Sequence, residues 1–598
     1  MTHLQARPAL PCADAGAGPD AVLAALDPEQ REVALSVRGP VCVLAGAGTG
    51  KTRAVAHRIG YAVATGVVRP DRVLAVTFTT RAAGELRGRL RQLGEAVVPG
   101  SGLGQVQART FHAAALRQLT HFWPQTVGGP PPAVLESKLS LLAEAAKPLR
   151  IALEPAGLRD VAAEVEWAKV TQIRPEDYPA ASSKADRTPP VAPDRLAALY
   201  AAYEELRARR HVVDFESVLE LTAAILAAHP VAAAAVRDRY RYFVVDEYQD
   251  VNPLQQLLLD QWLGSRDDLC VVGDPRQTIY SFAGATPAYL TGFPRRYPQA
   301  TVIELVRNYR STPQVVALAN RVFSRSGPAV PLVAQLPAGP VPAFTEYRDE
   351  REETASVARQ AAQLVAGGVP PARIAVLVRT NAMTIGYEEA LASAGLQVQL
   401  RGAERFFERG EVKQAVGLLK VAARSADPGE DPRAQVRPIL MGLGLSKEPP
   451  SGRGKARDRW ESLDALAQLA AEFFSASPDA GLAGLAAELE VRSALGHAPA
   501  PGGVTLASLH AAKGLEWDVV FLPGLTEGAL PIVYAVTARA IEEERRLLYV
   551  GLTRARHRLY LSWALARDSG SRYARTPSRF IGELRSPLPA AVTKEARR

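Results

Sequence analysis

Cysteine is nearly absent from this chain: three among 598 residues, Cys12, Cys42 and Cys270. No two of them share a C-x-x-C spacing, which excludes zinc ribbons and a disulfide framework. Cys42 and Cys270 sit inside apolar runs, so both are expected to be core residues of a protein kept in a reducing cytoplasm. Long apolar runs are missing too. No stretch reaches 18 apolar residues, so no membrane-spanning helix is expected. The opening MTHLQARPALPCADAGAGPD has no charged region leading into an apolar core, and reads as a short disordered tail rather than a signal peptide. Lysine is scarce as well, 11 residues against 60 arginines.

What is present is an ordinary globular composition, with 47% hydrophobic and 22% charged residues. Single cores stop growing near ~250–300 residues, so a chain of this length is expected to form several domains. The net charge of +9 suits a polyanionic partner such as nucleic acid. GC-rich codons also enrich alanine and arginine, so charge alone does not decide the matter.

Along the chain, strand and helix patterns alternate. Residues 40–46 and 72–79 read as buried strands, and 51–65 and 80–93 as helices. That alternation predicts βα units and a parallel sheet. A mainly helical stretch fills about 131–210, and strands resume at 241–246 and 268–273. A second α/β unit is expected to begin near 301, with strands at 301–305, 341–346, 373–378, 397–400, 503–508, 517–522 and 557–562. Residues 425–460, rich in Pro, Gly and Arg, read as a mobile linker region.

Residues 45–52 read Ala-Gly-Ala-Gly-Thr-Gly-Lys-Thr, a P-loop with Ala45 at the first glycine position. It follows a strand and opens a helix, as the motif requires. Gly46, Gly48 and Gly50 let the backbone curl so that amide hydrogens, with those of Ala47 and Thr49, face phosphates. The helix N-terminus adds positive potential. Lys51 reaches the β- and γ-phosphates, and the Thr52 hydroxyl ligates Mg²⁺. The acidic partner is FVVDEYQD at 243–250: Asp246 holds Mg²⁺ through water, and Glu247 polarises the attacking water. The bland alternatives, a glycine-rich turn and an exposed acidic strand end, are disfavoured by the pairing of the two motifs.

With these residues in place, the chain resembles superfamily 1A DNA helicases of the UvrD, Rep and PcrA group. DEYQD is similar to that family's motif II, and other blocks follow in its order. LDPEQREV (26–33) resembles the Q motif, AVTFTTRAAGELRGRL (75–90) motif Ia and RTFHAAAL (109–116) motif Ib. VVGDPRQTIYSFAGA (271–285) resembles motif III, RNYRST (307–312) motif IV, and RGAERFFERGEVK (401–413) the block after it. TLASLHAAKGLEWDVVFLPGLTEG (505–528) resembles motif V and EEERRLLYVGLTRAR (542–556) motif VI.

The resemblance implies an α/β fold of two RecA-like P-loop domains, each with a mostly helical insertion, clasping one ATP. It implies a tail at 1–20, a first RecA-like domain at 21–130 and 206–298, and its insertion at 131–205. The second RecA-like domain takes 299–415 and 501–585, its reduced insertion 416–500, and a tail 586–598. Gln30 is implied to read adenine, with Arg53 and Tyr309 beside it. Glu516 meets the ribose or phosphate region, and Gln277 senses the γ-phosphate. Arg310 and Arg554 neutralise charge developing on that phosphate, while Arg556 is read as a surface ion pair. Phe78, Tyr280 and Phe282 are implied to stack on bases, although a core role for Phe78 and Phe282 stays open. His112 and His510 lie near the implied DNA path or are structural, and Arg81 and Lys513 are candidate phosphate contacts.

The implied activity is ATP-dependent 3′–5′ movement along single-stranded DNA with duplex unwinding, in repair or recombination, with ATP and Mg²⁺ as cofactors and a nucleoid-associated cytoplasmic setting. Three departures stand out. Motif III carries Phe282-Ala283 where Trp-Arg is common, Thr80 replaces an asparagine, and Arg307 replaces a neutral residue. The second insertion is also short, which leaves open a translocase without strong unwinding. The chain ends soon after motif VI, so neither a nuclease nor an accessory C-terminal domain is expected.

Overall fold

Short runs of valine, leucine and alanine build two parallel sheets, one in each of two compact units. The computed structural model describes residues 18–153, 155–324, 331–380, 383–401, 407, 410–425, 431–446, most of 460–494, 502–567 and 574–585. The first unit takes Met1–Ala45, Gly50–Pro275 and Phe282–Leu305; the second takes Gly46–Thr49, Arg276–Ser281 and Val306–Arg598.

In chain order the first unit has β1 (Val41–Ala45), β2 (Val73–Thr77), β3 (Gln107–Thr110), β4 (Ala133–Val134), β5 (Val212–Val213), β6 (Tyr242–Val245), β7 (Leu269–Gly273) and β8 (Thr301–Leu305). Six of these form one sheet in the order β3-β2-β6-β7-β1-β8, every pair parallel. Strands β2, β6 and β7 are buried throughout, as expected for a sheet covered on both faces. Cys42 and Cys270 lie in neighbouring strands and both are buried, with burial pushing the Cys42 thiol up to about 12.

Because the strands are parallel, their C-terminal ends share one edge of the sheet. The P-loop follows β1, Phe78 follows β2, His112 follows β3, Asp246 follows β6 and Asp274 follows β7. Topology alone therefore gathers residues spread over about two hundred positions of sequence.

The strand at 301–305 corrects an expectation. It does not open the second unit but pairs with β1, Val41 opposite Thr301, as the edge of the first sheet. A strand's composition does not say which sheet it joins. The insertion boundary at 205 is corrected likewise. It falls inside the helix Pro193–Arg209, and the following β5 pairs with β4, closing the insertion near Val213. That insertion has its own core, including Leu142, Val165, Trp167, Tyr178, Leu199 and Tyr203.

The second unit continues with β9 (Arg307–Asn308), β10 (Val333–Ala334), β11 (Ala343–Tyr347), β12 (Ile374–Val378), β13 (Val398–Arg401), β14 (Val504–Ser508), β15 (Trp517–Leu522) and β16 (Ala555–Ala564). Its six-stranded sheet runs β11-β16-β15-β12-β14-β13, again with every pair parallel. Between β13 and β14 a separate apolar cluster holds Val412, Leu419, Val436, Leu440, Leu466 and Leu485. Part of the expected linker is therefore structured. Pro432–Gly442 is a helix whose Val436 and Leu440, one turn apart, are buried in that cluster. Likewise the helix Pro19–Leu23 begins inside the expected tail and buries Val22 and Leu23. Residues 1–17, half of the linker at 425–460, most of the 401–413 block and the tail at 586–598 lie outside the described residues. No single helix among the described residues is long and apolar enough to cross a membrane.

Candidate active site

In the first unit, Lys51 opens the helix Lys51–Ala64, and its ammonium donates to the Ala45 carbonyl at 3.2 Å. Thr52 and Arg53 follow in the first turn, and Arg53 Nη2 donates to the Ala25 carbonyl at 2.5 Å. Gly50 caps this helix in the left-handed region, φ 79°. A side chain there would put Cβ 2.6 Å from Gln30 Nε2. Glycine is thus required twice over, for conformation and for the approach of the Gln30 amide. Gln30 itself is buried, and its N–H is held by the Asp27 side chain at 2.8 Å. Ala45, at the first glycine position, is the buried last residue of β1, where a methyl group is accommodated.

At the end of β6, Asp246 donates its N–H to Val76 O at 2.9 Å and accepts the Glu247 N–H on Oδ1 at 2.9 Å. Burial, then the adjacent Glu247 charge, pushes the Asp246 carboxyl up to about 7, against the opposing pull of Lys51. Two crowded carboxylates beside one ammonium make a site that favours a further cation. Glu247 adopts φ 52°, the left-handed region that non-glycine residues seldom enter, a strain that surrounding structure must sustain.

The Glu247 carboxylate is met by Gln249, a residue with no signature of its own in the sequence. This fully buried amide donates from Nε2 to Glu247 Oε2 at 2.5 Å and to Asp250 Oδ2 at 3.3 Å. Its Oε1 accepts the Asp274 N–H at 3.0 Å, tying the acidic strand end to the loop after β7. A Cβ at Gly273 would come within 2.4 Å of that same oxygen.

The P-loop residues Gly46–Thr49 group with the second unit. Thr49 Oγ1 donates to Gly46 O at 2.9 Å, Asn308 Nδ2 to Ala47 O at 2.6 Å, and Tyr309 N to Gly48 O at 2.9 Å. Gly48, φ 71°, admits no side chain, because a Cβ would lie 2.6 Å from Asn308 Nδ2. Asn308 also accepts the N–H groups of Arg310 and Ser311 on Oδ1, at 3.0 and 2.8 Å. It is a second residue the sequence did not flag; its small amide satisfies three backbone groups at once. The Tyr309 side chain is 41% exposed.

Arg310 and Arg554 meet at Thr553. Arg310 Nη1 donates to the Thr553 carbonyl at 3.2 Å, and Arg554 Nη2 to its hydroxyl at 3.1 Å. The remaining donors differ. Arg310 Nε pairs with Glu516 Oε2 at 2.5 Å, whereas buried Arg554 donates to the carbonyls of Val550 at 2.9 Å and Leu515 at 3.0 Å. Arg556 pairs with the other Glu516 oxygen at 2.8 Å and approaches Asp518 at 3.5 Å. Burial alone would raise the Glu516 carboxyl; Arg310, Arg556 and Arg554 together hold it below its usual range.

The candidate DNA residues divide between the units. In the first, Phe78 is 40% exposed immediately after β2, and Arg81 is ion-paired with Glu85 at 2.9 Å. His112 packs edge-on to Phe215 at 5.8 Å, and burial followed by the Lys138 charge lowers its pKa to about 4. Phe282 is 57% exposed. In the second, Lys513 Nζ donates at 2.6 Å to the carbonyl of buried Gln277, the γ-phosphate candidate. Lys513 also lies 5.2 Å from the centre of the Tyr280 ring, whose hydroxyl donates to His510 O at 3.3 Å. Burial, then Arg379, lowers the His510 pKa to about 4. Both histidines are therefore neutral near pH 7, and neither can meet a phosphate as a cation.

Comparison with known proteins bears on the whole chain. Residues 26–298 match the UvrD/REP helicase N-terminal domain, and 303–430 with 433–566 match the UvrD-like helicase C-terminal domain. The ATP-dependent DNA helicase UvrD2 of Mycobacterium tuberculosis is 52% identical over 575 residues, covering 94% of this chain and 82% of its own. The ATP-dependent DNA helicase PcrA of Bacillus subtilis is 29% identical over 651 residues, covering 95% and 86%. The ATP-dependent DNA helicase UvrD1 of Mycobacterium leprae is 29% identical over 679 residues, covering 94% and 86%. The last two alignments are longer than this chain itself, so those relatives carry segments that it lacks.

Proposed function

The chain belongs to the UvrD/REP helicase family and is an ATP-dependent DNA helicase; from that premise we propose how its residues divide the work. Lys51 and the P-loop amides hold the ATP phosphates, and Glu247 orients the attacking water. Gln277, Arg310 and Arg554 respond to the γ-phosphate, Gln30, Arg53 and Tyr309 to the adenine, and Glu516 to the ribose side. Mg²⁺ suits the crowded Asp246–Glu247 pair, with the Asp246 carboxylate and the Thr52 hydroxyl as its protein contacts; when bound it would neutralise charge on the phosphates. The motor travels 3′ to 5′ on single-stranded DNA, with Phe78, Tyr280 and Phe282 stacking on bases and Arg81 and Lys513 at phosphates. His112 and His510 contribute as neutral rings. We keep the domain pattern implied by the resemblance as a proposal, with the first insertion closing near Val213 and the first domain extended to Leu305.

The observation that carries this reading is the gathering at one sheet edge of Lys51, the Asp246–Glu247 pair and its Gln249 support. The test is ATP turnover by the full chain with and without single-stranded DNA, then with RNA of equal length. Duplexes with a 3′ tail, a 5′ tail and blunt ends follow. Stimulation by DNA above RNA, with strand separation only from the 3′ tail, is the expected result. Turnover untouched by Lys51→Ala would remove the phosphate site, and separation from the 5′ tail alone would reverse the polarity.

A second reading keeps the ATPase and drops strong autonomous unwinding. It is favoured by one observation, that PcrA and UvrD1 carry segments absent here. Stimulated ATPase without separation of the 3′-tailed duplex would select it.

A further inference from the structure

The turn bearing Phe282 is held in part from the insertion. The helix Tyr178–Lys184 ends with Asp186 at φ 52°, and its last carbonyls are closed by Asp186 N to Ser183 O at 3.2 Å and Arg187 N to Ser182 O at 3.0 Å. This is the left-handed reversal usually given to glycine, here taken by an aspartate, and it turns Arg187 back across the insertion. The Arg187 guanidinium lies 4.3 Å over the Trp167 ring. It forks onto Glu164, Nη2 to Oε1 at 2.8 Å and Nε to Oε2 at 2.9 Å, while Tyr178 donates to that carboxylate at 2.6 Å. The remaining nitrogen, Nη1, donates to the Phe282 carbonyl at 3.1 Å.

A second contact fixes the same turn. Gly284, φ 89°, lies so close to Val170 that a Cβ would come within 2.6 Å of its Cγ2. The insertion thus meets this turn at the Phe282 carbonyl and at Gly284, while Phe282 itself stays exposed. The neighbouring position, Ala283, offers no side-chain donor of its own.

We propose that Arg187 is a positioning residue for DNA binding: locked by Glu164 and Trp167, it fixes the Phe282 ring as a stacking platform for a nucleobase. This rests on the reading of Phe282 as a base contact. Two consequences separate it from a merely structural role. Arg187 acts only through the ring, so its removal matters only when the ring is present. The charge alone is insufficient, because lysine lacks the fork that serves Glu164 and the carbonyl together.

The experiment uses the full chain and a single-stranded oligonucleotide carrying 2-aminopurine, whose fluorescence falls on stacking. The variants are Phe282→Ala, Arg187→Ala, Arg187→Lys and the double Arg187→Ala/Phe282→Ala. Arg187→Ala is expected to weaken DNA binding about three- to tenfold, part of what one stacked base contributes, and to reduce the quench. It raises the half-saturating DNA concentration for ATPase more than it lowers the maximal rate. Arg187→Lys, which keeps stem and charge and so guards against misfolding, shows an intermediate loss with an unchanged melting temperature. The double variant binds DNA like Phe282→Ala alone. Equal further weakening in the Phe282→Ala background overturns the proposal, as does wild-type affinity in both Arg187 variants. If Phe282→Ala itself leaves affinity and quench unchanged, the reading of Phe282 fails instead, and the proposal falls with it.

Discussion

Replacing Gln249 by alanine tests whether the orientation of the Glu247 carboxylate depends on its neighbour. The amide meets Glu247 Oε2 at 2.5 Å and the Asp274 N–H at 3.0 Å, and it is wholly buried. A hydrogen bond to a charged group is worth about 1.5–3 kcal/mol. If that energy holds Glu247 in its reactive orientation, turnover falls about 10- to 100-fold at ~1.4 kcal/mol per decade. The ceiling is the contribution of Glu247 as general base, roughly 10²- to 10⁴-fold. The Asp274 N–H also loses its acceptor, so stability falls by about 1–3 kcal/mol, and the assay is run well below the melting transition. ATP turnover is measured at saturating ATP and DNA for Gln249→Ala, Glu247→Gln and the double variant. Because Gln249 acts through Glu247, the double variant should match Glu247→Gln within about twofold. Turnover of Gln249→Ala within twofold of wild type, or a further tenfold drop in the double variant, would refute the reasoning.

Acid should weaken the first unit through His112. Its folded pKa of about 4 lies below the ordinary 6.5, so its stabilising contribution is complete above pH 6.5 and is lost as pH falls toward 4, about 2 kcal/mol by pH 5; His112→Gln should flatten that limb of the urea midpoint against pH, and an unchanged limb would remove the assignment. Lys169→Met should destabilise by about 3–5 kcal/mol in urea unfolding, because buried Asp214 loses the ammonium 3.2 Å away and Ser217 its donor at 2.7 Å; a loss below 1 kcal/mol would show the ion pair to be dispensable. DNA affinity should fall linearly in logarithm with the logarithm of salt, as counterions return to phosphates, and a flat response would contradict a path of cations that meets them.

How much of this was legible in the sequence depended on how local the determinant was. The P-loop, the acidic strand end and the buried strands are written in consecutive residues, and they fall where the residue patterns put them. The strand β3 has no such signature, because Gln-Ala-Arg-Thr carries neither an apolar run nor alternation and is an edge strand supported by β2 alone. The pattern at 301–305 marks β8 as a strand but not which sheet it joins, since its pairing with β1 spans 260 residues. Gln249 and Asn308 lay inside recognised motifs, yet their roles come from what their amides reach. Arg187 could not be found at all: its partner is 95 residues away, and its direction is set by a helix reversal at an aspartate.

The arginine count illustrates the same limit in energetic form. Sixty arginines, against eleven lysines, look like an electrostatic footprint for DNA. Inside the fold, however, much of that guanidinium is committed to the protein. Arg379 forks onto Glu544 at 2.7 and 2.9 Å, and Arg266 spans the carbonyls of Arg237, Tyr240 and Trp262. Arg187 and Arg554 are tied down as already described. A planar fork with five donors suits this work better than an ammonium, because it closes several carbonyls at once. A guanidinium held this way contributes little counterion release. The salt slope of DNA binding should therefore follow the few cations left at the strand path rather than the composition, and a slope approaching the net charge of +9 would show that the internal arginines had been misjudged.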